Sequence, residues 1–280
     1  MNPFNPFSMK NFVFFVFTIT LVINTLPGCT QTQNKSSKTQ DSISINIDST
    51  KTEALQTDTF RREMVLEFNN FLSYKVDPKA KDVKIYWRDD DKIPLTSIEN
   101  LKQFLSKKGK TLVFAMNAGM YFTNYHPMGL LVQEGKIIVP VNKKSAPNAN
   151  FYQKPNGIFY IDTNHVAAIC KTDDFVFNKG IDCATQSGPM LLIDGEMHPI
   201  CKKGSTSLNT RNGVGILPDG RILFVLAMNV NFYDFALYFK NAGCKNALFL
   251  DGGISTAYLP EKNWTDSWGD FGPMIGVSDR

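Results

Sequence analysis

The sequence predicts an α+β fold: one domain, residues 59–280, built on a mixed, mostly antiparallel sheet or sheets with a few flanking helices. Three observations predict it. Short β-branched and aromatic runs recur between Gly, Asp and Asn turn signals. Only two segments carry helical periodicity with end signals. The chain holds 22 Phe and 9 Tyr among 280 residues, a composition suited to a sheet-rich interior.

The elements follow in order. Val65 to Val76 and Val83 to Trp87 read as strands, with Asp77-Pro78 as a turn. Thr96-x-x-Glu99 has the form of a capping box. It opens a helix through Leu101, Phe104 and Leu105 that stops at Gly109. Thr111 to Met116 is a buried strand, and hairpins are expected around Glu134-Gly135 and around 162–165. Pro189 to Ile193, Val214 to Leu217 and Ile222 to Met228 are further strands, with turns at Asp194-Gly195 and Asp219-Gly220. A second helix spans about Asn231 to Ala242, with Phe232, Phe235, Leu237 and Phe239 on its apolar side and Gly243 past its end. It leads into a strand from Ala247 to Leu250.

Residues ahead of the domain have a different character. Lys10 precedes an apolar run from Phe12 to Ile23, too short to span a bilayer but suited to a signal-peptide core. The run reaches Leu26-Pro27-Gly28-Cys29, which resembles the lipobox of bacterial lipoproteins. The expectation is a signal peptide over 1–28, lipidation at Cys29, and a flexible polar tether over 29–58. The protein is then membrane-attached through its lipid in a bacterial cell envelope, on the periplasmic or outer surface.

Net charge is +4 with no basic block, which argues against a nucleic-acid partner. Cys170, Cys183, Cys201 and Cys244 match no zinc spacing. They leave open one or two disulfides or free buried thiols. Asp89-Asp90-Asp91 suits a calcium ligand run or, better, a solvated turn. No metal site is assigned and no cofactor is required, with a divalent metal left open.

Four islands carry the chemistry. Apolar strands meet small, polar, glycine-containing residues at Met116-Asn117-Ala118-Gly119-Met120-Tyr121, at Gln186-Ser187-Gly188-Pro189 and at Leu250-Asp251-Gly252-Gly253-Ile254-Ser255. Arg211 stands before a fourth strand, at Asn212-Gly213-Val214-Gly215. Together they offer an amide, hydroxyls, a guanidinium, a carboxylate and glycine N–H groups, a set suited to a phosphate-bearing or polyhydroxylated ligand. Taken singly, Asp251-Gly252 also reads as a tight turn between paired strands, Ser187-Gly188-Pro189 as a turn, and Arg211 as an ion-pair partner. Of the histidines, His126 lies nearest Asn117 in sequence and is the one to test.

In this order the islands resemble the phosphodiester glycosidase family, whose pattern runs Asn-Gly-Gly-Tyr-Phe, Ser-Gly-Pro, an Arg before a glycine-containing strand, and Asp-Gly-Gly-Gly-Ser. Ala118, Tyr121 and Ile254 depart from it and mark a divergent bacterial branch, with Ile254 narrowing any pocket beside Asp251. The resemblance implies a glycosidase-type hydrolase that cleaves a sugar C1–O–phosphate bond, or acts on a related envelope or extracellular glycan. It implies Asp251, Arg211 and Asn117 as catalytic residues, and Tyr121, Ser187, Gly188, Gly252, Gly253 and Ser255 as substrate-binding residues. The alternative is a non-catalytic carbohydrate-binding or polysaccharide-assembly lipoprotein that keeps the pocket without turnover.

Overall fold

A computed structural model of the protein describes residues 70–146 and 149–280. The signal segment, Cys29, the tether and the expected start of the domain at 59–69 lie outside the described residues. The described chain runs β1 (Phe71–Val76), β2 (Asp82–Tyr86), α1 (Ile98–Lys107), β3 (Leu112–Asn117), β4 (Leu131–Gln133), β5 (Lys136–Val139), β6 (Gly157–Asp162), β7 (Ala167–Lys171) and β8 (Ile181–Ser187). It continues through β9 (Met190–Ile193), β10 (Glu196–Met197), β11 (Asn209–Ile216), β12 (Ile222–Val230), α2 (Phe232–Asn241), β13 (Ala247–Phe249), β14 (Ala257–Leu259), β15 (Trp264–Thr265) and β16 (Met274–Ser278). The fold is α+β and sheet-dominated, as the sequence predicts.

The strands form three sheets, ordered β1-β12-β11-β13-β9-β10, β15-β14-β3-β16-β2 and β5-β4-β8-β6-β7. Every named ladder is antiparallel. One apolar core takes side chains from all three sheets. Its centre is aromatic: Phe224 of β12 lies 5.3 Å from Phe114 of β3 and 6.0 Å from Phe159 of β6, centroid to centroid. Stacked and edge-on rings at these distances add directional attraction to the burial of apolar area.

Each sheet buries part of its other face. Helix α2 covers the six-stranded sheet with Phe235, Ala236 and Phe239, and α1 covers the β3 sheet with Ile98, Leu101 and Leu105. Both helices stop as the sequence predicts. The amides of Gly109 and Lys110 bond to Ser106 O and Leu105 O, and Gly109 adopts φ 73°. The amides of Gly243 and Cys244 bond to Lys240 O and Phe239 O, and Gly243 adopts φ 88°. A left-handed residue reverses the chain and satisfies the last carbonyls, and glycine adopts it without a Cβ clash.

Three readings change. The α1 cap is Ser97, whose Oγ accepts the Asn100 amide at 3.1 Å, one residue later than the expected Thr96. Thr96 instead takes φ 61° and donates its hydroxyl to Leu95 O. Leu237 is only half-buried, and Ala236 takes its place on the packed face of α2. The four described cysteines are free thiols, so the open choice resolves against disulfides among them. Asp89 closes a turn by accepting the Ile93 amide at 2.8 Å, and Asp90 pairs with Lys108.

Candidate functional site

The three sheets are stitched together where three of the four islands end. Asn117, the last residue of β3, is fully buried. Its Nδ2 donates to the main-chain oxygen of Asp251 at 2.7 Å and to Ser255 Oγ at 3.1 Å. Asn212 of β11, also fully buried, donates from Nδ2 to Asn117 O at 2.8 Å. Ser187, the last residue of β8, donates its hydroxyl to Leu250 O at 2.8 Å. The Ser255 hydroxyl reaches back to Asp251 O. Side chains at the ends of β3 and β8 thus hold one short segment, Leu250-Asp251, by its peptide oxygens, while β11 holds Asn117 through the Asn212 side chain and accepts the Leu250 amide at Asn212 O. Buried polar groups require such partners, and here meeting that need fixes the backbone beneath Asp251.

That segment is not a hairpin turn. β13 belongs to the six-stranded sheet, whereas β14, the next strand, pairs with β3 and β15. Residues 250–256 therefore cross from one sheet to another. The two glycines of the crossover do different work. A Cβ on Gly252 would lie 2.6 Å from Thr210 O and 2.7 Å from Phe249 Cζ, so Gly252 is required by close packing. A Cβ on Gly253 would meet nothing within 4 Å, because Gly253 opens onto a cleft.

The cleft has a volume of about 360 Å³ and is lined by Tyr121, Phe122, Thr123, Tyr125, Asp251, Gly253, Ile254 and Asp270. Its wall at 121–127 is a closed loop. Tyr121 bridges Pro127, the Phe122 amide bonds to His126 O at 2.9 Å, and the Tyr125 amide bonds to Phe122 O at 2.8 Å. The loop is tied across to Asp270: Tyr125 Oη donates to its Oδ1 at 2.6 Å, and Tyr121 Oη donates to its main-chain oxygen. Burial pushes the Asp251 carboxyl up to about 6, since desolvation disfavours the charged form. The Tyr121 hydroxyl is raised well above its ordinary value by burial, then by the charges of Asp251 and Asp270. Its bond to Asp270 raises Tyr125.

The expected site residues fall into three groups. Asp251, Tyr121 and Gly253 line the cleft. Asn117, Ser187 and Ser255 hold the cleft floor from behind, and Gly252 and Gly188 are packed positions: a Cβ on Gly188 would lie 2.5 Å from Asn156 Cβ. Arg211 lies on the α2 side of the six-stranded sheet and is not among the cleft-lining residues. Its guanidinium stands 3.7 Å over the Phe232 ring, with Nε donating to Val230 O at 2.9 Å and Nη2 to Ser207 O at 3.1 Å. Burial lowers its pKa to about 10.

Ala118 is fully buried in the common core, whereas Ile254 lines the cleft with 48% of its surface exposed. His126 packs edge-on against Trp87 at 5.3 Å, with Nδ1 2.9 Å from Pro127 O. The sequence reading missed Phe122, Thr123, Tyr125 and Asp270. An aromatic-polar run between Gly119 and Pro127 marks the first three, and no local signal marks Asp270.

Among the described residues no group of three or more His, Cys, Asp or Glu is placed to hold a metal ion. The cleft can accept hydrogen bonds at two carboxylates and stack a ring against aromatic walls.

Comparison with known proteins agrees with the islands. The uncharacterized protein YigE of Escherichia coli (strain K12) is 36% identical over 189 residues, covering 67% of this chain and 73% of that protein. Solved structures align at low identity, among them the following two. The catalytic domain of zebrafish N-acetylglucosamine-1-phosphodiester alpha-N-acetylglucosaminidase, auto-inhibited by its pro-peptide, aligns at TM-score 0.46 and 15% identity, over 75% of this chain and 89% of that one. A putative exported protein of Burkholderia pseudomallei K96243 aligns at TM-score 0.48 and 10% identity, over 74% of this chain and 73% of that one. The family model for phosphodiester glycosidase matches residues 110–275, a span that contains the whole cleft and every residue that stitches its floor. The chain belongs to the phosphodiester glycosidase family.

Proposed function

We propose that the protein is a hydrolase that cleaves the bond between a sugar's anomeric carbon and a phosphate oxygen in an envelope or extracellular glycan. In this reading it is held at the bacterial envelope by a lipid on Cys29. The observation that carries the reaction is Asp251: a carboxyl pushed up to about 6 by burial, on a backbone fixed from three sheets, at the wall of an open cleft. A carboxylate titrating near neutrality is well matched to accept and return a proton.

In the reaction, water attacks the anomeric carbon as the C1–O bond breaks. The bonding electron pair leaves on the phosphate oxygen, and Asp251 takes the proton from water. A phosphate is already a weak base, so its departure needs little protonation. The barrier lies in the oxocarbenium-like sugar, and the negative charge of Asp251 opposes that positive charge. Backbone N–H groups of Gly253 and Ile254 at the cleft wall serve as phosphate donors. Arg211 acts here through the packing of β11 against α2, because its guanidinium is engaged by two carbonyls and a ring.

The test is release of free sugar from a panel of sugar 1-phosphodiesters by the purified protein. Release that falls at least about a hundredfold in Asp251→Asn supports the reading. A folded variant that retains its rate sinks the role of Asp251. Ile254, which occupies cleft space beside Asp251, is the feature that favours the non-catalytic alternative; binding of these compounds without release would establish it.

A further inference from the structure

The cleft has an unusual inventory of hydrogen-bonding groups. No Lys, Arg or His is among its lining residues. The hydroxyl protons of Tyr121 and Tyr125 are both spent on Asp270. Thr123 is the one lining side chain with a further O–H to offer. Against this stand four carboxylate oxygens. Both oxygens of Asp251 and Oδ2 of Asp270 receive no hydrogen bond from any described residue, and burial is the sole cause of the raised pKa at Asp251. The side chains of the cleft therefore accept and hardly donate.

Phosphate oxygens only accept, so these side chains match the other half of a glycosyl phosphodiester. They match a group rich in donors. A cation placed between Asp251 and Asp270 is attracted to both side chains. Tyr121, Phe122 and Tyr125 add aromatic rings to the lining, and an aromatic ring attracts a cation over its face.

We propose that this cleft is a subsite for a sugar bearing a free amino group, and that Asp270 is the residue that selects for the ammonium. The inference rests on the reading of this cleft as the substrate site. It adds that the sugar enters between Asp251 and Asp270, while the phosphate stays at the rim beside Gly253 and Ile254. Asp270 is held in place for this role, because Tyr125 engages Oδ1 while Oδ2 of this exposed residue receives no hydrogen bond from a described residue. An N-acetylated sugar at the same position has lost the charge and two of its donors.

Two measurements separate the inference from the reaction. Binding of methyl α-glucosaminide and of methyl N-acetyl-α-glucosaminide is titrated by calorimetry at about pH 7, where the Asp251 carboxyl is mostly ionised. The expected result is at least about tenfold tighter binding of the free amine, a preference that shrinks with added salt and falls toward unity in Asp270→Asn. Equal binding, preference for the acetylated sugar, binding of neither, or a preference that Asp270→Asn leaves intact would each overturn the inference. In parallel, wild-type protein is assayed on the matching 1-phosphodiesters. Absence of sugar release there removes the hydrolytic reading and leaves the binding result standing, whereas release with no amine preference in binding removes only the selectivity.

Discussion

Asn117 Nδ2 lies 2.7 Å from the main-chain oxygen of Asp251, so the end of one strand fixes the backbone of a carboxylate residue 134 positions later. Asn117 does not line the cleft, yet the cleft depends on it. Asn117→Ala removes the two hydrogen bonds it donates and leaves a small buried void. The expected cost is about 2–3 kcal/mol, read from the denaturant midpoint. Activity should fall with it even under conditions where the variant is folded, because the Asp251 backbone loses its tie.

Asp251 predicts a conflict between stability and function. Its carboxyl titrates at about 6 in the folded protein and near 3.8 when unfolded. Below the unfolded value both states are protonated and folding carries no penalty. As pH rises toward 6 the unfolded chain ionises first, so folded stability falls, by up to about 3 kcal/mol once pH passes the folded value. Asp251→Asn should therefore raise the melting temperature at neutral pH, leave it nearly unchanged near pH 4, and abolish sugar release.

The same titration sets the activity profile. If Asp251 receives the proton of water it must be ionised, so kcat/KM should decline on the acid side with an apparent pKa of about 6. A profile that stays flat down to about pH 4 would remove Asp251 from proton transfer.

Gly252 and Gly253 should respond oppositely to alanine. Gly252→Ala drives a methyl to 2.6 Å from a carbonyl oxygen and should cost about 2–3 kcal/mol by chemical denaturation. Gly253→Ala meets open space and should change stability by no more than about 0.5 kcal/mol. Its effect belongs in KM, because the methyl enters the cleft.

Arg211→Ala separates a packing role from phosphate binding. It removes a buried guanidinium bonded to Val230 O and Ser207 O and stacked on Phe232. The expected loss is about 2–4 kcal/mol of stability, with residual activity tracking the folded fraction. A fully stable variant with a selectively raised KM for phosphodiesters would return Arg211 to the substrate.

Much of this protein is legible in its sequence, for local reasons. Gly109 and Gly243 mark the helix ends because glycine alone takes those conformations freely, and Glu134-Gly135 and Asp194-Gly195 mark hairpins on the same ground. What escapes is what depends on distant partners. β8 reads as polar at Thr185, Gln186 and Ser187, yet all three are buried. They hydrogen-bond to Gly119, Leu130, Asn142 and Leu250, which no local pattern reveals. β14, β15 and β16 are too short to show a period. Asp270 sits in an unremarked loop, and Tyr121 and Tyr125, 149 and 145 residues away, make it part of the cleft.

The place of β16 makes one sheet depend on the end of the chain for its closure. β2 and β3 are not neighbours in their sheet; both pair with β16, which lies between them. Met274 is the register partner of Asn117, and Pro273 O receives the Ala118 amide. Half of that sheet thus waits on residues 273–278, more than 150 positions after its first strands, a closure that long-range pairing makes slow. Until it occurs Asn117 lacks its register partner and the Ala118 amide lacks its acceptor, so the floor beneath Asp251 is completed only by the last residues of the sheet.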